Sequence, residues 1–474
     1  MDSITMTAEQ QLPEGWKIER LGDIAISEKG KKPKNQSSEK TDTYCYPYVD
    51  IEAFEKGVIK SYTDGVKCVL CDEDDFLMVW DGSRSGLVGK GIRGALGSTL
   101  VRISLPEVSN LYAYYFLLSK YQEINTRAKG SGTPHVDPDL LWNYAFPIPP
   151  NLETQQAIVN KIESLFDEID EGIGRLKTAA QQIQQYRQSL LKNAFNGELT
   201  KEWRSKHADT LPSENELLAQ IQTTREQHHA QQLADWQTAV SQWEQNGKEG
   251  KKPSKPKAPT QAVKFEENVA DLPNGWGVVK FENICDLVRN GISTKPEGES
   301  GTKIFRISAV RAFQLNLDDY RFINSDDVGD FVLNNGDLLF TRYNGTRNFV
   351  GVCAEFKSNE IYVYPDKLIR AVVNSTEINN TFLMYGFNTS ISREFIESRI
   401  RTTAGQSGIS GSDIKAIPVI ICSLAEQTQI VAILESKLTA CDQLAAELAK
   451  QLKQAELLKQ AVLKAAFSGS LLDK

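Results

Sequence analysis

The pentapeptide LPNGW at residues 272–276 repeats the LPEGW at residues 12–16 of the same chain, so the protein opens twice. Outward from it the echo continues. GDLLFTRYNGTRNFVG at 336–351 answers DDFLMVWDGSRSGLVG at 74–89, an offset of about 262, with a divergent middle and a surviving frame. The match then tightens: LETQQAIVNKIES at 152–164 aligns with LAEQTQIVAILES at 424–436, and LLKNAFNGEL at 190–199 with VLKAAFSGSL at 462–471, both at an offset of 272. Each half is a variable body of roughly 140 residues followed by a helix of about 43 residues that is nearly the same in both. A duplicated unit with altered bodies is a device for presenting two different surfaces.

Periodicity makes these repeated segments helices. Ile158, Ile162, Leu165, Ile169, Ile173, Leu176, Ala180 and Ile183 recur at threes and fours, and Ile430, Leu434, Leu438, Cys441, Leu448, Leu452, Ala455 and Val462 repeat the stripe. At about 1.5 Å per residue each is roughly 65 Å long, more than a domain needs internally, so two of them should pair as a coiled coil. Asn196-Gly197 and Ser468-Gly469 supply the C-terminal stops. Between the halves, residues 210–245 are helix-prone and very polar, and NGKEGKKPSKPKAP at 246–259 has the composition of a segment that cannot hold a core. The reading here is a linker with a helix on its near side, in which His228 and His229 are solvated.

The bodies mix short β-type runs (FLMVW, STLVRIS, KIFRIS, DLLFTR, LIRAVV) with helical ones, SNLYAYYFLLSKYQEINTRA and NTFLMYGFNTSISREFIESRI, and each is expected to be an α/β or α+β domain. The totals agree with two soluble domains: 474 residues, 40% apolar and 24% charged. No run of 18 or more apolar residues occurs, and the opening MDSITMTAEQQLPEG has neither a basic nor an apolar leader region, so the expected location is cytoplasmic, away from any membrane. Seven cysteines, odd in number and scattered through apolar contexts, read as reduced thiols. The net charge of −8 argues against a protein held on nucleic acid by bulk electrostatics alone, so any DNA binding must be local or shared with a partner.

Catalytic motifs are hard to find. Gly89-Lys90-Gly91-Ile92-Arg93-Gly94 fits G-x-G-x-x-G, but the run after it reads as strand, not helix. Asp72, Glu73, Asp74 and Asp75 would alternate faces on an extended run, and they read as a solvated turn. Cys68-x-x-Cys71 is half of a zinc spacing without its other half. There is no GxxxxGK[ST] and no D/N-P-P-Y/F tetrapeptide, and four histidines leave little material for acid-base catalysis.

What the second body does concentrate is polar side chains able to read base edges: Arg306, Ser308, Arg311, Arg342, Tyr343, Asn344, Thr346, Arg347, Asn348, Lys367 and Arg370. Arginine suits guanine, and asparagine or glutamine suits adenine. RTTAGQSGISGSDIK at 401–415 adds glycines that let backbone amides approach phosphates, with Gln406 and Ser407 placed to read an edge. In the first body KGSGTPHVDPDLL at 129–141 occupies the matching place, and the candidates there are Ser83, Arg84, Ser85, Lys90, Arg93, Lys129, Ser131, Thr133 and His135.

Taken together, the LPxGW openings, GDLLFTR, GQSGIS, the P-x-x-x-L-x-E-Q-x-x-IV helix start and the AFxGxL ending resemble the DNA-specificity subunit of type I restriction-modification enzymes, over almost the whole chain except 210–260. NGISTKPEG, FRISAVR, YPDKLIRA and TTAGQSGISGSDIK make the second half the stronger match. In the first, Trp80-Asp81-Gly82-Ser83-Arg84 and Thr133-Pro134 depart from it. The resemblance implies two target recognition domains of similar α/β (α+β) fold, separated by two long conserved helices pairing as an antiparallel coiled coil, in a pseudo-two-fold repeat. The implied division is a first recognition domain at 1–151, the central helix at 152–200, the linker at 201–262, a second recognition domain at 263–421 and the distal helix at 422–474. It further implies a non-catalytic chain that binds a bipartite, asymmetric double-stranded DNA target and docks two methyltransferase and two restriction-translocation subunits. S-adenosylmethionine, ATP and magnesium would be bound by those partners and no cofactor by this chain. The rival readings are a coiled-coil scaffold without DNA readout, and a self-sufficient nuclease or methylase.

Overall fold

The run Asp337-Leu-Leu-Phe has no polar alternation because its strand is covered on both faces. Leu338 and Phe340, with Ile369 and Ala371 opposite them, enter one core, while Leu339 and Leu368 enter another. Phe76-Leu-Met-Val in the first body does the same: Phe76 and Met78 join Val101 and Ile103, and Leu77 and Val79 join Leu100. These two strands are the centres of equivalent sheets. In the computed structural model, which describes residues 12–130, 132–250, 252–261, 265, 271–324, 328–373, 375–403 and 405–472, the chain forms two compact units. One takes Met1–Ala180 with Ala446–Lys474, and the other takes Gln181–Ala445. The opening residues 1–11, Ser131, Ala404 and the expected boundary at 262–263 lie outside the described residues.

In the first unit the order is Ile26–Lys29, Leu100–Ser104, Phe76–Val79, Val88–Lys90, all antiparallel. In the second it is Leu287–Asn290, Leu368–Val372, Leu338–Thr341, Cys353–Glu355, also antiparallel. Each unit carries a second sheet containing one parallel pair, Tyr46–Val49 with Gly94–Leu96 and Thr302–Phe305 with Tyr362–Val363. In each, the strand after LPxGW pairs with the strand that leads into the long helix: Lys17–Arg20 with Ala145–Ile148, and Gly277–Lys280 with Pro418–Ile421. The same strand order twice is the duplication seen in the sequence, now as an α+β fold.

One repeated glutamine explains part of the QxxIV echo. Gln155 is buried and its Oε1 accepts from the Ser109 amide at 2.8 Å, just before the helix Asn110–Thr126. Gln427 is buried too, and its Oε1 accepts from the Asn379 amide at 2.8 Å, just before the helix Asn380–Phe387. Both serve backbone groups left over at a helix start. The run at 380–400, expected to be helical throughout, breaks into Asn380–Phe387 and Ser390–Arg399. Asn388 interrupts it, because its side chain bonds the Cys353 amide and the Cys353 and Met384 carbonyls instead of continuing the helix.

The repeated helices are Leu152–Phe195, the central helix, and Leu424–Phe467, the distal helix, each 44 residues. Every residue of the two expected stripes is buried or half-buried. Within the second unit, Arg187 pairs with Asp442 and Thr200 bonds Glu426, so the helices run antiparallel there. Leu190, Ala194 and Phe195 share a core with Ile430, Val431 and Leu434. Within the first unit Lys459 lies 2.6 Å from Asp170, and Val462, Leu463 and Ala466 share a core with Ile158, Val159 and Ile162.

The two ends of the repeat interlock. Gly197 has φ 82° and would, with a Cβ, stand 2.2 Å from Pro273 Cγ; Gly469 also has φ 82°, and a Cβ there would stand 2.3 Å from Pro13 Cδ. Each AFxG ending thus seats the proline of an LPxGW opening, in one unit the opening of the half that follows and in the other that of the half that precedes.

The intervening segment differs from the expected linker. Its helix, Glu214–Gln245, starts with a capping box from Ser213 and Glu216, and Leu217 and Ile221 are fully buried in the core of the second unit. His229 is not solvated, since its Nε2 is buried without a hydrogen-bond partner, and His228 Nδ1 sits 3.6 Å from Asp286.

Candidate nucleic-acid interface

The second unit holds a cleft of about 910 Å³ whose walls are polar and apolar in equal measure and carry five cations. Small-molecule pockets carry only a few charged groups; beside apolar residues such as Ile307 and Phe349 this one gathers Lys295, Arg306, Arg311, Arg321 and Lys367, with Tyr343, Asn344, Thr346 and Gln406 among them. Three short strands build its floor: Tyr343–Asn344 pairs with Gln406–Gly408, which pairs with Arg401–Thr403. Glycine at 408 is required, because a Cβ there would stand 2.3 Å from Tyr343 Cδ1. The Arg342 guanidinium lies 4.6 Å from the Tyr343 ring centroid and donates to the Asp366 carbonyl at 3.2 Å, so the tyrosine is held between Arg342 and Gly408.

Asn344 uses its Oδ1 to accept from the Thr346 amide at 2.9 Å, which fixes the turn and leaves its NH₂ group to donate elsewhere. Gln406 is exposed on its strand. Arg306 sits 3.8 Å from Asp319, which also accepts from Ser308. Arg311 lies over the Phe349 ring at 4.7 Å. Lys295, Arg321 and Lys367 are exposed and make no ion pair among the described residues.

The cleft therefore brings together Arg306, Ser308, Arg311, Tyr343, Asn344, Thr346, Lys367 and Gln406 of the sequence candidates, and adds Lys295 and Arg321. Lys295 lies in NGISTKPEG, and Arg321 projects from the strand Tyr320–Ile323; neither stood out among ordinary surface cations. Arg342 backs the wall, and Arg347 is turned away to the Glu397 carbonyl at 2.9 Å. Two candidates are corrected. Arg370 is 7% exposed with its Nε 2.7 Å from Asp337, and Ser407 is 6% exposed and bonds Thr402, so neither side chain lines the cleft.

In the first unit the candidates are more dispersed. Isolated bridges of His135 with Lys129 and Asp81 correspond to the three-strand floor of the second unit. Lys129 is tied to Asp137 at 2.8 Å, which raises its pKa and lowers that of the aspartate. Arg84 pairs with Glu55 at 2.6 Å and Lys90 with Glu163 at 3.6 Å. Ser85 is fully buried, which removes it from the readers; Ser83, Arg93 and Thr133 are exposed, and Ser131 lies outside the described residues.

The discounted motifs have packing explanations. Gly91 lets the chain pass the Asp72 carbonyl, where a Cβ would come within 2.0 Å, and the segment runs between the strands Val88–Lys90 and Gly94–Leu96. Asp75 closes the acidic turn by accepting from the Asp72 amide at 2.9 Å. Burial pushes the Cys71 thiol up to about 11, against the thiolate a metal would need. Among the described residues no group of three or more His, Cys, Asp or Glu is placed to hold a metal, and no helix is long and apolar enough to cross a membrane.

Comparison with known proteins decides the family. The type I restriction modification DNA specificity domain matches twice, at residues 13–177 and 273–454. The chain belongs to the type I restriction-modification DNA specificity family. Among the relatives of this specificity subunit, the EcoKI specificity subunit of Escherichia coli K12 is 27% identical, across 97% of this chain and 90% of that one. The MjaVIII specificity subunit of Methanocaldococcus jannaschii is 24% identical, across 79% and 75%. In structure, a chain from a study of complex assembly and conformational transition in the type I R-M system aligns with a TM-score of 0.63 at 18% identity, covering 97% of this chain and 99% of that one. The HsdS subunit from Thermoanaerobacter tengcongensis aligns at 0.50 and 18%, covering 97% and 98%. Specificity subunits are the DNA-binding, non-catalytic members of such systems, and the two-fold match coincides with the two strand orders described above.

Proposed function

We propose that the two bodies read the two halves of a split, asymmetric DNA target and that the paired helices set the distance between those halves. The observation that carries this reading is the cleft of the second unit, where five cations surround Tyr343, Asn344 and Gln406 on a repeated fold. Lysines and arginines there hold phosphates, which positions the duplex; asparagine and glutamine amides read base edges, which specifies it. Each half docks one methyltransferase subunit, and two restriction-translocation subunits add to that assembly. Leu444, Leu457 and Leu458 of the distal helix and Tyr186 of the central one are exposed and supply apolar area for such docking. Adenine-N6 methylation with S-adenosylmethionine, and ATP- and magnesium-dependent translocation and cleavage, belong to the partners. This chain contributes the grip on the duplex while a target adenine is turned out of the stack. The net charge of −8 fits a reader whose partners share the phosphate neutralisation.

In the complex with the methyltransferase partner, Asn344→Ala or Gln406→Ala should weaken target binding by about 1–3 kcal/mol and relax one target position. Lys367→Ala should weaken all sequences alike and lower the salt slope by about 0.9. Gel-shift titrations on target and scrambled duplexes separate the two classes. Absence of any sequence-dependent shift with the unaltered complex would favour the scaffold reading instead.

A further inference from the structure

The segment between the halves is a built arm. Its helix Glu214–Gln245 reverses at Gly247, Lys248 and Gly250, all at positive φ, and the chain returns antiparallel along it. Trp243 Nε1 donates to the Gly250 carbonyl at 3.2 Å, Trp236 Nε1 to the Pro253 carbonyl at 3.0 Å, and Arg225 to the Thr260 carbonyl at 2.7 Å. Eighteen residues of helix rise about 27 Å, and ten residues in polyproline II geometry would rise about 31 Å, lengths close enough for such a segment to run alongside the helix. An extended segment that makes no hydrogen bonds of its own leaves its carbonyls open to these donors.

The sequence KPSKPKAP is built for that geometry. Pro253, Pro256 and Pro259 recur every three residues, the polyproline II period, and all three are half-buried, on the face turned to the helix. Lys252, Ser254, Lys255, Lys257 and Ala258 between them are exposed. Lys252 and Lys255 hold their ammonium groups 5.8 and 5.9 Å from the Trp243 and Trp236 rings. None of Lys248, Lys252, Lys255 and Lys257 makes an ion pair among the described residues. In an acidic chain, residues 246–259 hold five lysines and one glutamate.

We propose that this arm is a second DNA-contacting element, a stiff comb of lysines that grips duplex phosphates and reads no bases. The proposal rests on the chain being a DNA reader. Lysine is a point charge without the planar fork that arginine offers to guanine, and the strand carries no asparagine, glutamine or arginine. Holding the strand rigid reduces the ordering cost of bringing several cations to one polyanion. A partner protein's acidic surface is the competing occupant, and the experiment distinguishes it.

The test uses the full chain in its methyltransferase complex, with Lys248, Lys252, Lys255 and Lys257 all changed to Gln, measured on target and non-target duplexes across a salt series. The expected result is a roughly tenfold or greater loss on both duplexes, and a salt slope shallower by about 3–4, at 0.9 per contact. The methylated motif should be unchanged, and the four Lys→Arg replacements should restore the slope. Trp236→Ala with Trp243→Ala, which frees the strand and keeps its charge, should lose part of the affinity. An unchanged slope on both duplexes overturns the proposal, as does loss of the methyltransferase subunit on purification with DNA binding otherwise intact, or an altered motif. If instead the unaltered complex fails to prefer its target, the reading of the two bodies fails, while the slope on non-target DNA still judges the arm.

Discussion

Glu426→Ala is expected to destabilise the second unit by about 3–5 kcal/mol, the cost typical of removing one partner from a buried charge pair. Glu426 is 1% exposed at the start of the distal helix. Its carboxylate accepts from Thr200 Oγ1 at 2.7 Å, from an Arg204 amine at 2.9 Å and from Trp276 Nε1 at 2.8 Å. One side chain thus joins the segment after the central helix, the second LPxGW opening and the distal helix. Alanine would strand three donors, one of them a guanidinium also packed on the Trp276 ring. Glu426→Gln keeps an acceptor and should lose less. The residue at the same place in the first half is Thr154, half-buried and bonded only to Asn151, and Thr154→Ala should cost under about 1 kcal/mol. Denaturant midpoints at constant slope measure all three; equal effects at 426 and 154 would remove Glu426 from this role.

Arg370→Ala should also cost about 3–5 kcal/mol, and it separates a brace from a reader. Asp337 is 3% exposed, takes the Asn334 amide at 2.6 Å, and would lose the guanidinium 2.7 Å away. Burial already pushes the Asp337 carboxyl above its ordinary value, with Arg370 pulling against it, so the variant's carboxyl moves further up. A carboxyl raised on folding favours the folded state below its unfolded pKa, and that contribution is lost as pH rises through the folded value. The deficit should therefore be smallest near pH 4 and grow toward pH 7. Folded variant protein should keep its target preference. A relaxed target position with unchanged stability would return Arg370 to the readers.

The duplication, the two long helices and the central strands of each body were legible because they depend on period and on repeated letters, whereas most of the short strands were not. The LPxGW–AFxG coupling was visible as two motifs but not as a contact, since nothing local says that Pro273 seats on Gly197 or Pro13 on Gly469. Reader candidates were legible only as residue types. Arg370 and Lys367 look alike in YPDKLIRA, yet strand alternation buries the first against Asp337 and leaves the second at the cleft. Lys295 and Arg321 reach that cleft from a loop and from an edge strand, a placement that spacing alone does not reveal. The arm was missed because low hydropathy hid a proline period that two tryptophans from another segment make sense of.

The most direct measurement exchanges residues 263–421 for the equivalent body of another specificity subunit and maps methylated adenines by long-read sequencing in a host supplying the methyltransferase partner. Two independent readers predict that one half of the methylated motif changes while the other half is retained. An unchanged motif, or a change in both halves together, would contradict the account.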